Sequence, residues 1–112
     1  MKKVLMILAA ICSTPTAYAR DVASDDGNEL LTLCNSEYDF NQGMCLGYVR
    51  GLSVGVDMML ALRDKKICYP SNITVGQMKD VVAAYIRRNP DKRHESNLIL
   101  FMRATIEAWP CS

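Results

Sequence analysis

The residues with the most specific chemistry in this 112-residue chain are its cysteines and its single histidine, His94. Cys12 falls in an apolar leader, which leaves Cys34, Cys45, Cys68 and Cys111 at spacings of 11, 23 and 43. These spacings contain no C-x-x-C pair and only one histidine follows, so the ligand spacing of a structural zinc site is missing. An even number of cysteines in a short exported chain reads instead as a disulfide framework, with three connectivities open at this point. A Cys–His hydrolase needs a free thiol, and bridges consume all four. No G-x-S-x-G, HExxH or phosphate-binding glycine loop is present. His94 reads as a packed imidazole hydrogen-bonded near the start of the last helix, not as a general base or metal ligand. The expectation is a binding protein with no catalytic residue, metal or cofactor.

The leader sets the compartment. Lys2 and Lys3 precede the apolar run Val4–Ile11, and Ala17-Tyr18-Ala19 has the small-x-small pattern of a signal peptidase site. The run is too short to span a bilayer. Ile11 stands before Cys12 where a lipoprotein signal has a small residue, so Cys12 is read as removed with residues 1–19. The mature chain, about 20–112, is then one small periplasmic domain with no membrane attachment. The formal net charge is +1, and losing Lys2 and Lys3 brings it to −1. No basic stripe with interleaved aromatics remains, which argues against nucleic-acid binding.

The elements that must position the cysteines are helical. The sequence has no alternating strand-like runs and no repeats, and the pattern predicts an all-α four-helix bundle. Arg20 to Asp26 is polar and expected to be loose. A short helix follows through Leu30, Leu31, Leu33 and Cys34, with Asn28 as its N-cap. Asn35 to Gln42 reads as a loop. The central helix spans about Gly43–Arg63, its polar residues Arg50, Ser53, Asp57 and Asp64 confined to one stripe read as solvated. The rest of its surface is apolar or glycine, so cover on most sides is expected. Gly47, Gly51 and Gly55 lie four apart, and each costs a helix roughly 1 kcal/mol relative to alanine; close approach by a neighbouring helix is the expected reason. Arg50 and Asp57 at mid-helix argue against a membrane span.

Thr74-Val75-Gly76-Gln77 has the capping-box pattern and opens a third helix, with Met78, Val81, Val82, Tyr85 and Ile86 on one face. Asn89-Pro90 ends it and starts the fourth, proline taking the first helical position. Leu98, Phe101, Met102, Thr105, Ile106 and Trp109 form the inward stripe of that helix, with Leu100 on its polar side. This order selects the bridges. Cys34 and Cys45 flank one short loop, while Cys68 and Cys111 follow the second and fourth helices and share a pole. The expected pairing is Cys34–Cys45 with Cys68–Cys111, worth about 3 and about 4 kcal/mol in loop-closure entropy.

Aromatics beside charges on tethered loops suit protein recognition. Tyr38, Asp39 and Phe40 in the first loop, and Lys65, Lys66 and Tyr69 in the second, are therefore the candidate partner-binding residues.

The motifs Gly27-Asn28-Glu29-Leu30-Leu31, Cys34, Cys45-Leu46-Gly47-Tyr48-Val49 and Gly51 resemble those of the Rap/Tai immunity proteins of type VI secretion systems. The later half matches as well: Cys68-Tyr69-Pro70, Thr74-Val75-Gly76-Gln77, Val81-Val82 with Tyr85, Pro90, Arg93-His94 and Trp109-Pro110-Cys111. The resemblance implies a periplasmic helical protein, often a homodimer, that covers the active site of a peptidoglycan amidase delivered by another cell. The alternative from the residues is a periplasmic stress chaperone, which would expose apolar surface as acid neutralises its carboxylates.

Overall fold

A computed structural model of the chain describes residues 25–112; the expected signal peptide lies outside the described residues. Four α-helices form the bundle: α1 Gly27–Cys34, α2 Asp39–Ala61, α3 Val75–Arg88 and α4 Asn97–Ala108. A 3₁₀ turn, Pro90–Lys92, joins α3 to α4. The core lies where all four helices meet, around the fully buried Phe101, Ile86, Leu100, Val49, Val56 and Val82.

The entry to the bundle is more ordered than its polar composition suggests. Asp26, not Asn28, is the N-cap of α1, its carboxylate accepting from Glu29 N at 3.0 Å. Asp25 and Asp26 are tied down, not loose. Gly27 N donates to Arg93 O at 2.8 Å and Asn97 N donates to Asp25 O at 3.1 Å. Gly27 is where close approach demands glycine. A Cβ built there would stand 2.8 Å from Leu100 Cδ1 and 3.1 Å from Arg93 O.

Helix α2 begins four residues earlier than the sequence pattern predicts. Asn41 and Gln42 reach back from its first turns to satisfy the preceding turn: Asn41 Nδ2 donates to Ser36 Oγ at 2.8 Å, and Gln42 Nε2 donates to Cys34 O at 3.1 Å and also to Ser36 O. Polar residues that would favour a loop thus brace a helix start, and Asp39 lies favourably in the first turn of the helix dipole. At the far end Asp64 adopts a left-handed φ of 55°. Lys65 N then bonds Leu60 O at 2.9 Å and Asp64 N bonds Ala61 O at 3.1 Å, the bond pair of a Schellman stop.

Helix α3 starts as expected. Thr74 Oγ1 accepts from Gln77 N at 3.1 Å while Gln77 Oε1 accepts from Thr74 N at 2.9 Å. Its C-terminal carbonyls are met by Arg93, whose guanidinium donates to Ile86 O and Arg87 O, both at 3.1 Å. Pro90 opens the 3₁₀ turn, not α4, which begins at Asn97 with Ser96 as its N-cap. The inward stripe of α4 also differs from the expected one. Asn97, Leu100, Phe101, Ala104 and Thr105 are buried, while Ile106 is exposed and Leu98 and Met102 only partly covered. Leu100, expected on the polar side, is fully buried against α1.

Both expected bridges are present, Cys34–Cys45 and Cys68–Cys111, each with Cα atoms 5.1 Å apart. The first is buried in the core, and the second is at the surface, with Cys111 exposed.

Candidate binding surfaces

At the α1–α2 turn, Tyr38 and Phe40 are each 76% exposed. Tyr38 is the residue before α2, and Asp39 and Phe40 are in its first helical turn, not in a loop. Their direction is therefore set by a rigid element cross-linked to α1 by Cys34–Cys45. Lys65 and Lys66 are exposed at the opposite end of α2. The helix is 23 residues long, or about 34 Å, so the two candidate sets stand at opposite poles of the chain.

Tyr69 is held differently from the lysines beside it. Its ring packs on Trp109, with centroids 5.5 Å apart and planes at 57°, and its hydroxyl donates to Asp57 Oδ1 at 3.4 Å. Burial, then the negative charge of Asp57, raises the Tyr69 phenol well above the ordinary tyrosine value. The Asp57 carboxyl is raised in turn by burial. Asp57 thus belongs to a contact with the connector, and Ser53, from the same expected solvated stripe, is buried with its hydroxyl donating to Arg50 O at 2.7 Å. Arg50 and Asp64 are exposed.

His94 lies on the turn before α4 and is exposed, not packed near a helix start as expected. Cys34, Cys45, Cys68 and Cys111 are all in bridges. Among the described residues no group of three or more His, Cys, Asp or Glu is gathered in a way that would hold a metal ion.

The expectation that α2 is covered on most sides is overturned. Its buried positions are Cys45, Val49, Leu52, Ser53, Val56 and Leu60, one face only. The opposite face carries Phe40, Met44, Val54, Met58 and Leu62, all exposed. Gly43, Gly47 and Gly51 lie on it with nothing within 4 Å of a built Cβ, and only Gly55 has a neighbour, Leu98 Cδ1 at 3.7 Å. By length and composition α2 passes as a membrane span, yet its other face is the core of the bundle, and Arg50 and Asp57 stand at mid-helix.

Beside this face lies a polar cluster that sequence reasoning missed. The Asp25 carboxylate accepts from the Tyr48 hydroxyl, from Ser96 Oγ at 3.3 Å and from Asn97 Nδ2 at 3.1 Å. Burial, then the hydrogen bond to Asp25, raises the Tyr48 phenol. The cluster joins the start of the chain, α2 and α4, and spacing alone cannot reveal contacts between residues 25, 48 and 97.

The described residues form a bundle stapled by two bridges that take up their four cysteines, with the long helix open along one apolar face. The chain belongs to the Rap1a immunity protein family, whose model matches residues 26–111. As an immunity protein it is not an enzyme, and membership implies a cognate toxin as partner. No match was found among curated proteins or among solved structures.

Proposed function

We propose that this chain is a periplasmic immunity protein that binds and occludes a peptidoglycan amidase delivered by a type VI secretion system, and that it works as a homodimer. Residues 1–19 direct its export and are cleaved near Ala19. The observation that carries this reading is the family match across residues 26–111, nearly all of the described chain. Two disulfides agree with an oxidising compartment.

The proposed toxin-contacting residues are Tyr38, Asp39 and Phe40 at one end of α2, and Lys65, Lys66 and Tyr69 at the other. Exposure favours Tyr38, Asp39 and the two lysines as direct contacts, with Phe40, on the outward stripe of α2, fixing the helix end that carries Tyr38 and Asp39. Tyr69, packed on Trp109, acts mainly by fixing the connector that carries Lys65 and Lys66. Inhibition by occlusion requires tight binding and no chemistry, so His94 is dispensable.

The test is inhibition of candidate peptidoglycan amidases by the purified mature chain, with periplasmic fractionation and N-terminal sequencing for export. Stoichiometric inhibition supports the reading. Protection of cells against a toxin of different chemistry, with every amidase left uninhibited, would sink the choice of target. Retention of residues 1–19 on a cytoplasmic product would sink the localisation.

A further inference from the structure

We propose that the outward face of α2 is the surface on which a second copy of this chain packs, antiparallel, about a two-fold axis through Gly51. The inference rests on the homodimer reading above and supplies its interface and register. Phe40, Met44, Gly47, Gly51, Gly55, Met58 and Leu62 follow one another at intervals of 4, 3, 4, 4, 3 and 4 residues. These intervals keep all seven on one stripe of the helix. The order of sizes reads the same from either end: large, large, glycine, glycine, glycine, large, large.

A two-fold interface brings a patch onto its own copy, so residue i meets j wherever j meets i. An antiparallel pair centred on Gly51 sets Phe40 against Leu62 of the partner subunit and Met44 against Met58 of the partner subunit. Gly47 then meets Gly55 of the partner subunit, and the two Gly51 backbones cross on the axis. The glycines let the helices approach closely at the centre, and the large side chains fill the space at both ends. In a parallel pair Gly47 and Gly55 would each meet their own copy instead of one another, so the two arrangements differ in which positions face across the axis.

The exposure of the stripe agrees. Leu62 is 89% and Met58 66% exposed, and the face points away from the chain's own core. Its large side chains and bare helix backbone hold on the order of 600 Å² of accessible surface per subunit, a size that marks interaction sites. Two copies then bury on the order of 1,200 Å² together, where specific interfaces begin. On one flank Arg50 comes near its own copy beside the axis, and the Asp57 carboxylates provide opposite charge farther along.

Cysteine substitution on the full mature chain tests the register. Gly51→Cys, on the axis, is expected to form a covalent dimer on oxidation, whereas Gly47→Cys and Gly55→Cys link efficiently only when the two variants are mixed. Glu107→Cys, on α4, is the background control. Gly51→Leu places its Cβ where nothing lies within 4 Å in the monomer, and leucine favours the helix over glycine. It is expected to keep the wild-type circular dichroism while weakening self-association in sedimentation at least about tenfold. Cross-linking of Gly51→Cys no faster than Glu107→Cys in a protein that still sediments as a dimer overturns this interface and leaves the homodimer standing. Equal self-linking by Gly47→Cys alone overturns the antiparallel register. A wild-type monomer at tens of micromolar overturns both.

Discussion

The Tyr69 hydroxyl donates to the Asp57 carboxylate at 3.4 Å, joining the connector after α2 to the side of α2 itself. This contact makes stability sensitive to alkali. Both the Tyr69 and Tyr48 phenols have folded-state values raised above that of a free tyrosine, mainly by burial. A raised phenol contributes stability that is complete below the unfolded value of about 10 and is lost as pH climbs through the folded value. Chemical denaturation should therefore show stability falling above about pH 10, and Tyr69→Phe should flatten part of that fall. An identical alkaline slope in wild type and Tyr69→Phe would remove this account.

The two bridges should differ in their response to reductant. Cys45 is fully buried and Cys34 nearly so, whereas Cys111 is exposed. Thiol labelling under mild native reduction is expected to mark Cys68 and Cys111 first. Labelling of Cys34 and Cys45 at the same rate would show that the core opens as readily as the surface.

Losing either bridge should destabilise the fold strongly. Cys68→Ser opens the 43-residue separation and Cys34→Ser the 11-residue one, with loop-closure losses of about 4 and about 3 kcal/mol. Cys34→Ser also leaves a polar hydroxyl in the core, so urea denaturation should place the two variants closer together than loop length alone suggests. A loss below about 1 kcal/mol for Cys68→Ser would mean that the connector is held by Tyr69 and Trp109 without its bridge.

Gly27→Ala and Leu100→Ala probe one contact from both sides. A Cβ at position 27 stands 2.8 Å from Leu100 Cδ1, so Gly27→Ala should cost about 1–3 kcal/mol through overpacking. Leu100→Ala removes a fully buried side chain and should cost about 2–5 kcal/mol. The double variant should lose less than the sum, because the alanine methyl enters the space that the leucine vacates. Strict additivity in thermal unfolding would argue against the contact.

In binding to the toxin, Lys65→Glu with Lys66→Glu should weaken inhibition, mostly through slower association that depends on salt. Tyr38→Ala should weaken it through faster dissociation, and His94→Ala should leave it unchanged. Amidase assays on folded variants decide this. Normal inhibition by both loop variants beside a failing His94→Ala would reverse the assignment of the site.

What the sequence determined by itself was local or counted: helix content, the cap at Thr74, the stop at Asp64, the break at Pro90, and four cysteines for two bridges. Loop lengths and helix order sufficed to pair those cysteines, because each partner had one nearby pole to reach. Only the tertiary structure decided which faces were covered. Apolar periodicity shows that a helix has an apolar side without saying how many neighbours it meets, and three partner helices are too few to surround α2. The inward face of α4 lies about one position from the expected stripe, because Leu98, Leu100 and Phe101 make a wide apolar arc and the neighbouring helices decide which part of it is covered. Leu100, assigned to the surface, is a core residue because α1 packs on it at Gly27. The glycines of α2, expected in close approach to a neighbouring helix, meet none within the chain except at Gly55, while the glycine that close packing within the chain requires is Gly27. Its need came from Leu100 and Arg93, some 70 residues away in sequence, a distance over which no local pattern carries information.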